Sequence, residues 1–336
     1  MNTEAARVDQ VHAQCLFDSL PEAMQVPTLS PAYVAADARR DPTLSPCYLV
    51  WSDGSAWLMH SVHEARIPGR EESDWQSPYG YGGPLDAGLD ARDLARAWHA
   101  LHALAHERRI VAEFVRFHPL LGNERGYPGT VQPDRSVAML DVSSGDLLGR
   151  YSGRARTAVR KALKDGLQLR SQSTDARAKF PAFYRAGMAQ IGADAFYRFD
   201  DGYFAALLSM PAARVFSVIG TDGETLAMGL FLFGPRVAEY HLSATTESGR
   251  RANATNLLLH GAACAAQECG LRLLYLGGGT NADPDNALLR FKQSHATCEA
   301  TFSYGHRIHD TAAYADLQAA LPEQARESRR VLFYRS

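Results

Sequence analysis

The sequence predicts an α/β protein of the α+β kind, in two halves, each a mixed, mostly antiparallel sheet flanked by helices. Three observations carry this expectation. The chain has 336 residues, more than a single small core serves. Helical and strand-like hydrophobic periodicities both recur along its whole length. In the second half, three consecutive strands are bracketed by helices, a meander that an all-helical or simple doubly wound chain would lack. The expected domains are 1–148 and 149–336.

In the first half, Pro46 to Met59 reads as two short strands around a Ser52-Asp53-Gly54 turn. Ala91 to Arg109 carries apolar residues at 94, 97, 98, 101, 104 and 105, the stripe of an amphipathic helix. Residues 110–121 (IVAEFVRFHPLL) are β-branched and aromatic, as in a buried strand. A Gly- and Pro-containing loop follows, and 136–143 (SVAMLDVS) closes the half as another strand.

The second half begins with a basic helix over Tyr151 to Arg170, ending at Gly166 as a C-cap. Helices follow over 179–192 and 200–210. Residues 214–245 then give three strands, with turns at Thr221-Asp222-Gly223 and Gly234-Pro235-Arg236. Helix 253–270, strand 271–279, helix 286–294 and strand 300–308 complete the pattern.

Composition narrows the functional classes. A formal net charge of −2 advertises no polyanion partner, so any such role rests on a local patch. The five cysteines are scattered without a CxxC pair, which argues against a disulfide framework and against structural zinc. The twelve histidines include no HExxH, and His99, His102 and His106 read as a solvated helix face; no metal is expected. The first residues lack a basic start and an apolar run, and the longest apolar stretch, 226–234, is too short for a membrane span. A cytoplasmic protein with no DNA partner is the expectation.

The segments SPYGYGGPL (77–85), FVRFHPLL (114–121), YSGRARTAVRKALKDG (151–166), EYHLSAT (239–245), ATNLLLHGAA (254–263), YLGGG (275–279) and LLRFKQS (288–294) occur in this order along most of the chain. In order and spacing the sequence resembles the Fem-type (FemAB-like) acyltransferases, which include peptidoglycan bridge aminoacyltransferases within the GNAT superfamily. That resemblance implies tandem GNAT-like domains, a degenerate N-terminal one on the acceptor side and a C-terminal catalytic one, with the acceptor in a groove between them. It implies no tightly bound cofactor, and an acyl donor carried as acyl-CoA or as aminoacyl-tRNA. One departure bears on the donor. Where CoA-dependent members carry a glycine-rich pyrophosphate turn, this chain reads GRRANATN (249–256), with Asn253 and Ala254 where glycine is expected. Arg250, Arg251, Asn253 and Asn256 are the donor-binding candidates there.

Acyl transfer to an amine needs a neutral nucleophile, a polarised carbonyl and a place for the charge of the tetrahedral intermediate. In Fem-type enzymes a lysine matching Lys292 sits near the reacting end of the donor; the alternative is an exposed lysine on a short helix. Glu239, Tyr240, His241 and Ser243 lie on the strand that lines the acyl site in GNAT folds. Strand alternation would point Glu239, His241 and Ser243 one way and Tyr240 the other. Either set could supply a base or proton relay, or merely pair with its neighbours.

Between Arg150 and Arg170 there are seven basic residues and one acidic residue, Asp165. Arg156, Arg160 and Lys164 recur every four positions and share a face, while Val159 and Leu163 define an apolar one; Lys161 is counted with the three as a phosphate-binding candidate. A one-sign face repels itself, which makes sense where phosphate sits against it. In the first half, Tyr79, Tyr81, Gly82 and Gly83, with Arg116 and His118 on the following strand, are the acceptor-binding candidates. Two readings result: an N-acyltransferase acting on an amine of a sugar, peptide or cell-envelope precursor, with tRNA as a possible partner; or a non-catalytic GNAT-like protein that binds a nucleotide-sugar or a protein.

Overall fold

A computed structural model describes residues 4–171, 174–321 and 330–335. In chain order the elements are β1 (Ala6–Val8), α1 (Gln10–Asp18), α2 (Pro31–Asp37), β2 (Leu44–Asp53), β3 (Ala56–Arg66), β4 (Ser73–Gln76), β5 (Gly83–Ala87), α3 (Ala91–Glu107), β6 (Ile110–Arg116) and β7 (Thr130–Asp141). They continue with α4 (Leu147–Arg150), α5 (Gly153–Lys164), β8 (Gln168–Ser171), α6 (Thr174–Gln190), α7 (Asp201–Ser209), β9 (Ala213–Ile219), β10 (Thr225–Phe233) and β11 (Val237–Thr245). Then come α8 (Glu247–Arg251), α9 (Ala254–Glu268), β12 (Leu273–Gly278), α10 (Ala287–Gln293), β13 (Cys298–Ile308) and α11 (Thr311–Ala319).

The chain divides into two compact units. One comprises residues 1–21, 28–134 and 302–336, the other 22–27 and 135–301. The units are therefore not two consecutive stretches meeting at 148/149. Residues 137–141 of β7 pair with β12, which draws this end of the strand into the second unit. Residues 304–308 of β13 pair with β6, which draws the C-terminal stretch into the first. Such exchange leaves no compositional mark, so only the coordinates reveal it.

Both units use the same strand logic. In the first, β1, β2, β3 and β4 follow one another antiparallel, β4 pairs parallel with β6, and β5 pairs with β3. In the second, β8, β9, β10 and β11 are antiparallel, and β11 then pairs parallel with β12. A parallel neighbour requires a crossover, and a long helix supplies it each time: α3 before β6 and α9 before β12. Each unit is thus a mixed, mostly antiparallel set of strands flanked by helices, the layout expected of tandem GNAT-like domains.

The elements form for local reasons. α3 starts at Asp90, whose carboxylate accepts from the Asp93 N–H, and it buries Ala97, Trp98, Leu101 and Ala105. α9 is apolar on nearly every side and buries eight residues, among them Leu257, Leu258 and Leu259. Each such leucine contributes about 1.5–3 kcal/mol of transfer free energy. They pack with Phe231 of β10, Ala238 of β11 and Val159 of α5 into the core of the second unit.

Two expectations about the basic helix are corrected. The helix stops at Lys164, Gly166 takes φ +82°, and 168–171 is an edge strand on β9 rather than a helical tail. Its buried face is Ala155, Val159 and Ala162, whereas Leu163 is 49% exposed. Alanines carry the seam because α5 lies close against α9, and bulkier side chains would hold the two helices apart. All five cysteines are free. Among the described residues no helix is long and apolar enough to cross a membrane.

Candidate functional site

β11 and β12 pair over Val237–Glu239 and Leu273–Tyr275 and then part. Both strands continue, to Thr245 and Gly278, without each other. Two irregularities accompany the separation. On β12 the register against β7 shifts between Tyr275 and Gly277, and Gly277 takes φ +78°, a conformation that side chains rarely adopt. On β11 the register against β10 shifts so that Phe231 faces Tyr240, Leu230 faces Leu242 and Gly229 faces Ser243.

That second bulge overturns the expected alternation. Residues paired across a ladder share a face, so Ser243 lies with Tyr240 rather than with Glu239 and His241. The Tyr240 and Ser243 hydroxyls are in direct hydrogen-bond contact. The Tyr240 ring stacks on Phe231 at 5.0 Å, and burial raises its phenol pKa. His241 meets a different partner: its Nε2 is 3.3 Å from the Tyr203 hydroxyl of α7. Glu239 is 3% exposed.

Lys292 comes to this wedge from α10. Its ammonium donates to the Gly278 carbonyl at 2.7 Å and stands 5.8 Å from the Tyr240 ring centre. Among the described residues no carboxylate forms an ion pair with it. Burial lowers its pKa from 10.5 to about 8, because the charged form loses water without gaining a counter-ion. A Cβ on Gly277 would lie 3.3 Å from the ammonium, so glycine keeps the approach open. Lys292 is thus not the exposed surface lysine that the sequence also allowed. The sequence brings it here through Asn286, which caps α10 by accepting from the Leu288 and Leu289 N–H groups.

The start of α9 lies beside the end of β11, where the Thr245 and Thr255 hydroxyls are 2.7 Å apart. Asn253 precedes the helix with φ +60° and ψ +27°. It adopts the left-handed turn that glycine would provide, and asparagine is among the few residues that do so readily. Arg250 donates to the Thr245 carbonyl, and Arg251 pairs with Glu247. Asn256 is partly buried in the first turn of α9. The N-terminal end of α5 is tied to the C-terminal end of α10 by a bond from the Ser152 N–H to the Ser294 carbonyl at 2.9 Å. Along α5, Lys161 pairs with Asp165 at 2.7 Å, whereas Arg156, Arg160 and Lys164 form no ion pair among the described residues. Arg160 and Lys164 are exposed and Arg156 is partly so.

The first-unit candidates also come together. Arg116 donates from Nε to the Gly80 carbonyl at 2.7 Å and accepts the Gly82 N–H on its own carbonyl at 2.7 Å. Tyr81 meets His118 edge-on at 5.1 Å and Phe302 at 5.5 Å, and the Arg116 guanidinium lies over Phe302 at 5.0 Å. Gly83, at φ +96°, could carry no Cβ, which would fall 2.6 Å from the Asn123 amide nitrogen. Sequence reasoning missed the residues that fix this loop. The Tyr33 hydroxyl donates to the Tyr79 carbonyl at 2.6 Å, and buried Asp37 accepts the Tyr79 N–H at 2.8 Å. Asn123 donates to the Gly82 and Pro84 carbonyls. Phe302 and Tyr203 were missed for the same reason, since they arrive from remote parts of the chain.

The geometry agrees with what comparison finds. Residues 149–293 match the family of acetyltransferase (GNAT) domains. Among solved structures, FemX is similar at a TM-score of 0.72 and 13% identity, covering 94% of this chain and 99% of that one. The C-terminal (DUF2156) domain of a putative lysylphosphatidylglycerol synthetase from Agrobacterium fabrum is similar at 0.59 and 13% identity, covering 92% and 94%. A tandem GNAT protein from the clavulanic acid biosynthesis pathway is similar at 0.51 and 10% identity, covering 91% and 98%. No curated protein matches the sequence. Residues 149–293 thus carry a GNAT acetyltransferase domain, and the chain as a whole shares its fold with FemX and with a tandem GNAT protein.

Proposed function

We propose that the protein is an N-acyltransferase that moves an acyl or aminoacyl group from a carrier to an amine. The observation that carries this reading is the Lys292 ammonium, held without a counter-ion among the described residues where β11 and β12 part. A desolvated cation 5.8 Å from the ring of Tyr240, whose hydroxyl touches that of Ser243, suits a reaction that builds negative charge on a carbonyl oxygen and then on a departing carrier. In this reading the acceptor amine attacks the donor carbonyl carbon and Lys292 offsets the oxyanion charge. The Tyr240–Ser243 pair delivers a proton to the leaving sulfur or oxygen, and Glu239 or His241 takes the proton released by the amine.

Arg156, Arg160, Lys161 and Lys164, with Arg250, Arg251, Asn253 and Asn256, are proposed to hold phosphate of the donor, whether acyl-CoA or aminoacyl-tRNA. Tyr79, Tyr81, Gly82, Gly83, Arg116 and His118 are proposed to recognise the acceptor. Likeness in fold to FemX and to a putative lysylphosphatidylglycerol synthetase domain supports a cell-envelope precursor as acceptor, and a cytoplasmic site of action is part of the same proposal. The test is to incubate the protein with acetyl-CoA, longer acyl-CoAs or charged tRNA together with amino-sugar and peptide amines, and to follow acceptor mass. Donor-dependent mass gain supports the assignment. If no donor is consumed although nucleotide-sugars bind, the protein is a binding member of the fold.

A further inference from the structure

Glu113, on β6, is 1% exposed. Its Oε1 accepts the Tyr127 hydroxyl at 2.7 Å, and its Oε2 lies 3.5 Å from His60 Nε2 and 3.7 Å from His309 Nε2. Burial alone would push this carboxyl up; the two imidazoles prevail and hold its pKa well below the usual range. From His309 the contacts lead outward. His309 Nδ1 is 3.1 Å from His102 Nδ1, and His102 Nε2 is 3.2 Å from His106 Nε2. The His102 and His309 rings stack at 5.3 Å, His309 is 7% exposed, and His106 is exposed. A buried carboxylate, three imidazoles and solvent thus stand in one file, with His102 and His106 on α3.

We propose that His106, His102 and His309 conduct protons between solvent and buried Glu113, so that this core exchanges protons with water although its carboxylate rests ionised. One set of tautomers fits both imidazole–imidazole contacts and turns the last proton toward the carboxylate. His106 donates from Nε2 to His102, His102 from Nδ1 to His309, and His309 from Nε2 toward the carboxylate. A proton taken up at His106 Nδ1 drives three transfers: His106 Nε2 to His102 Nε2, His102 Nδ1 to His309 Nδ1, and His309 Nε2 to Glu113 Oε2. Each imidazole ends neutral with its tautomer reversed, and the carboxylate becomes the neutral acid only transiently, its low pKa returning the proton along the same file. The last gap, 3.7 Å, is longer than a hydrogen bond, so that step requires the His309 ring to tilt toward Oε2.

The surrounding charges resist positive charge lodging midway. Arg307, His309, His106 and His99 all act on His102, and with desolvation as the leading cause its pKa falls to about 4. Arg307 also acts on Tyr127, and His60 faces the carboxylate from β3. A line whose middle member stays neutral passes protons onward rather than storing them.

The experiment is exchange of the His309 Nε2 proton with water, read by ring nitrogen-15 NMR on the full-length protein at pH 6.5. In the wild type the line makes this exchange fast and the signal broad. His102→Gln, which removes one transfer site, is expected to slow exchange at least tenfold and sharpen the signal. His99→Gln, on the same helix but outside the file, is expected to leave it unchanged. Where His102→Gln fails to fold, the exposed His106→Gln carries the test, with slower exchange again expected. Equal exchange in a folded His102→Gln or His106→Gln variant and the wild type would overturn the proposal, as would equal slowing by His99→Gln.

Discussion

The Lys292 ammonium reaches across to the Gly278 carbonyl at 2.7 Å, linking α10 to the strand that parts from β11. One neutral oxygen does not neutralise a cation. The pKa near 8 expresses this shortfall, and an anionic group arriving in the wedge would remedy it.

The first prediction concerns pH. Because the folded pKa lies below the unfolded value of 10.5, the unfolded chain binds more protons between about pH 8 and 10.5. Stability therefore rises with pH across that window and is lost as pH falls through about 8. Lys292→Met should remove this rise, visible as a flat unfolding midpoint from pH 8 to 10 in urea titrations. The same variant should lower turnover by about 100-fold, the scale of losing one oxyanion partner. Wild-type turnover should decline above pH 8 as the cation disappears. Full turnover in a folded Lys292→Met protein would strip the residue of its proposed role.

The second prediction separates two hydroxyls that touch. Tyr240→Phe keeps the stack on Phe231 but removes the proton that Tyr240 and Ser243 share. Turnover should fall about 10- to 100-fold with little change in stability. Ser243→Ala should cost less, since the phenol can still reach the leaving group. The double variant should be no worse than Tyr240→Phe alone if the two hydroxyls act in series.

Much of the architecture was readable from periodicity. The meander of 214–245, the α3 stripe and α9 are local patterns of sufficient length, and the structure keeps them within a few residues. What stayed hidden depends on contacts between distant segments. The edge strand 168–171 has no pattern of its own and exists because β9 offers it a partner. The bulge that moves Ser243 to the Tyr240 face arises from pairing with β10, and no residue of EYHLSAT announces it. Lys292 was found through resemblance, but its want of a counter-ion follows from tertiary placement. Asp37 and Tyr33 hold the Tyr79 loop from more than forty positions away, a relation that a single sequence does not express.

A third prediction tests the basic face of α5. Arg160 is exposed and pairs with no carboxylate among the described residues, so reversing its charge should leave folding intact. Arg160→Glu should weaken donor binding about tenfold and flatten its salt dependence, as expected where a phosphate contact is lost. Lys161→Glu is the informative comparison. It also breaks the 2.7 Å bridge to Asp165, but an exposed pair of this kind is worth only about 0.3–0.5 kcal/mol. Comparable loss of affinity in both variants would make the whole face the phosphate surface. Loss in neither would reduce it to solvated charge.

The last prediction concerns the turn at Asn253. Its φ of +60° is a conformation that glycine and asparagine adopt and β-branched residues do not. Asn253→Gly should leave the unfolding midpoint nearly unchanged. Asn253→Val should destabilise by about 1–3 kcal/mol, because the strain has nowhere to relax before α9 begins. If this turn shapes the donor site, Asn253→Val should also raise the donor Kd by more than tenfold while Asn253→Gly keeps it. A stable Asn253→Val protein with unaltered donor affinity would mean that the left-handed turn only starts the helix, and that phosphate is held elsewhere on the unit.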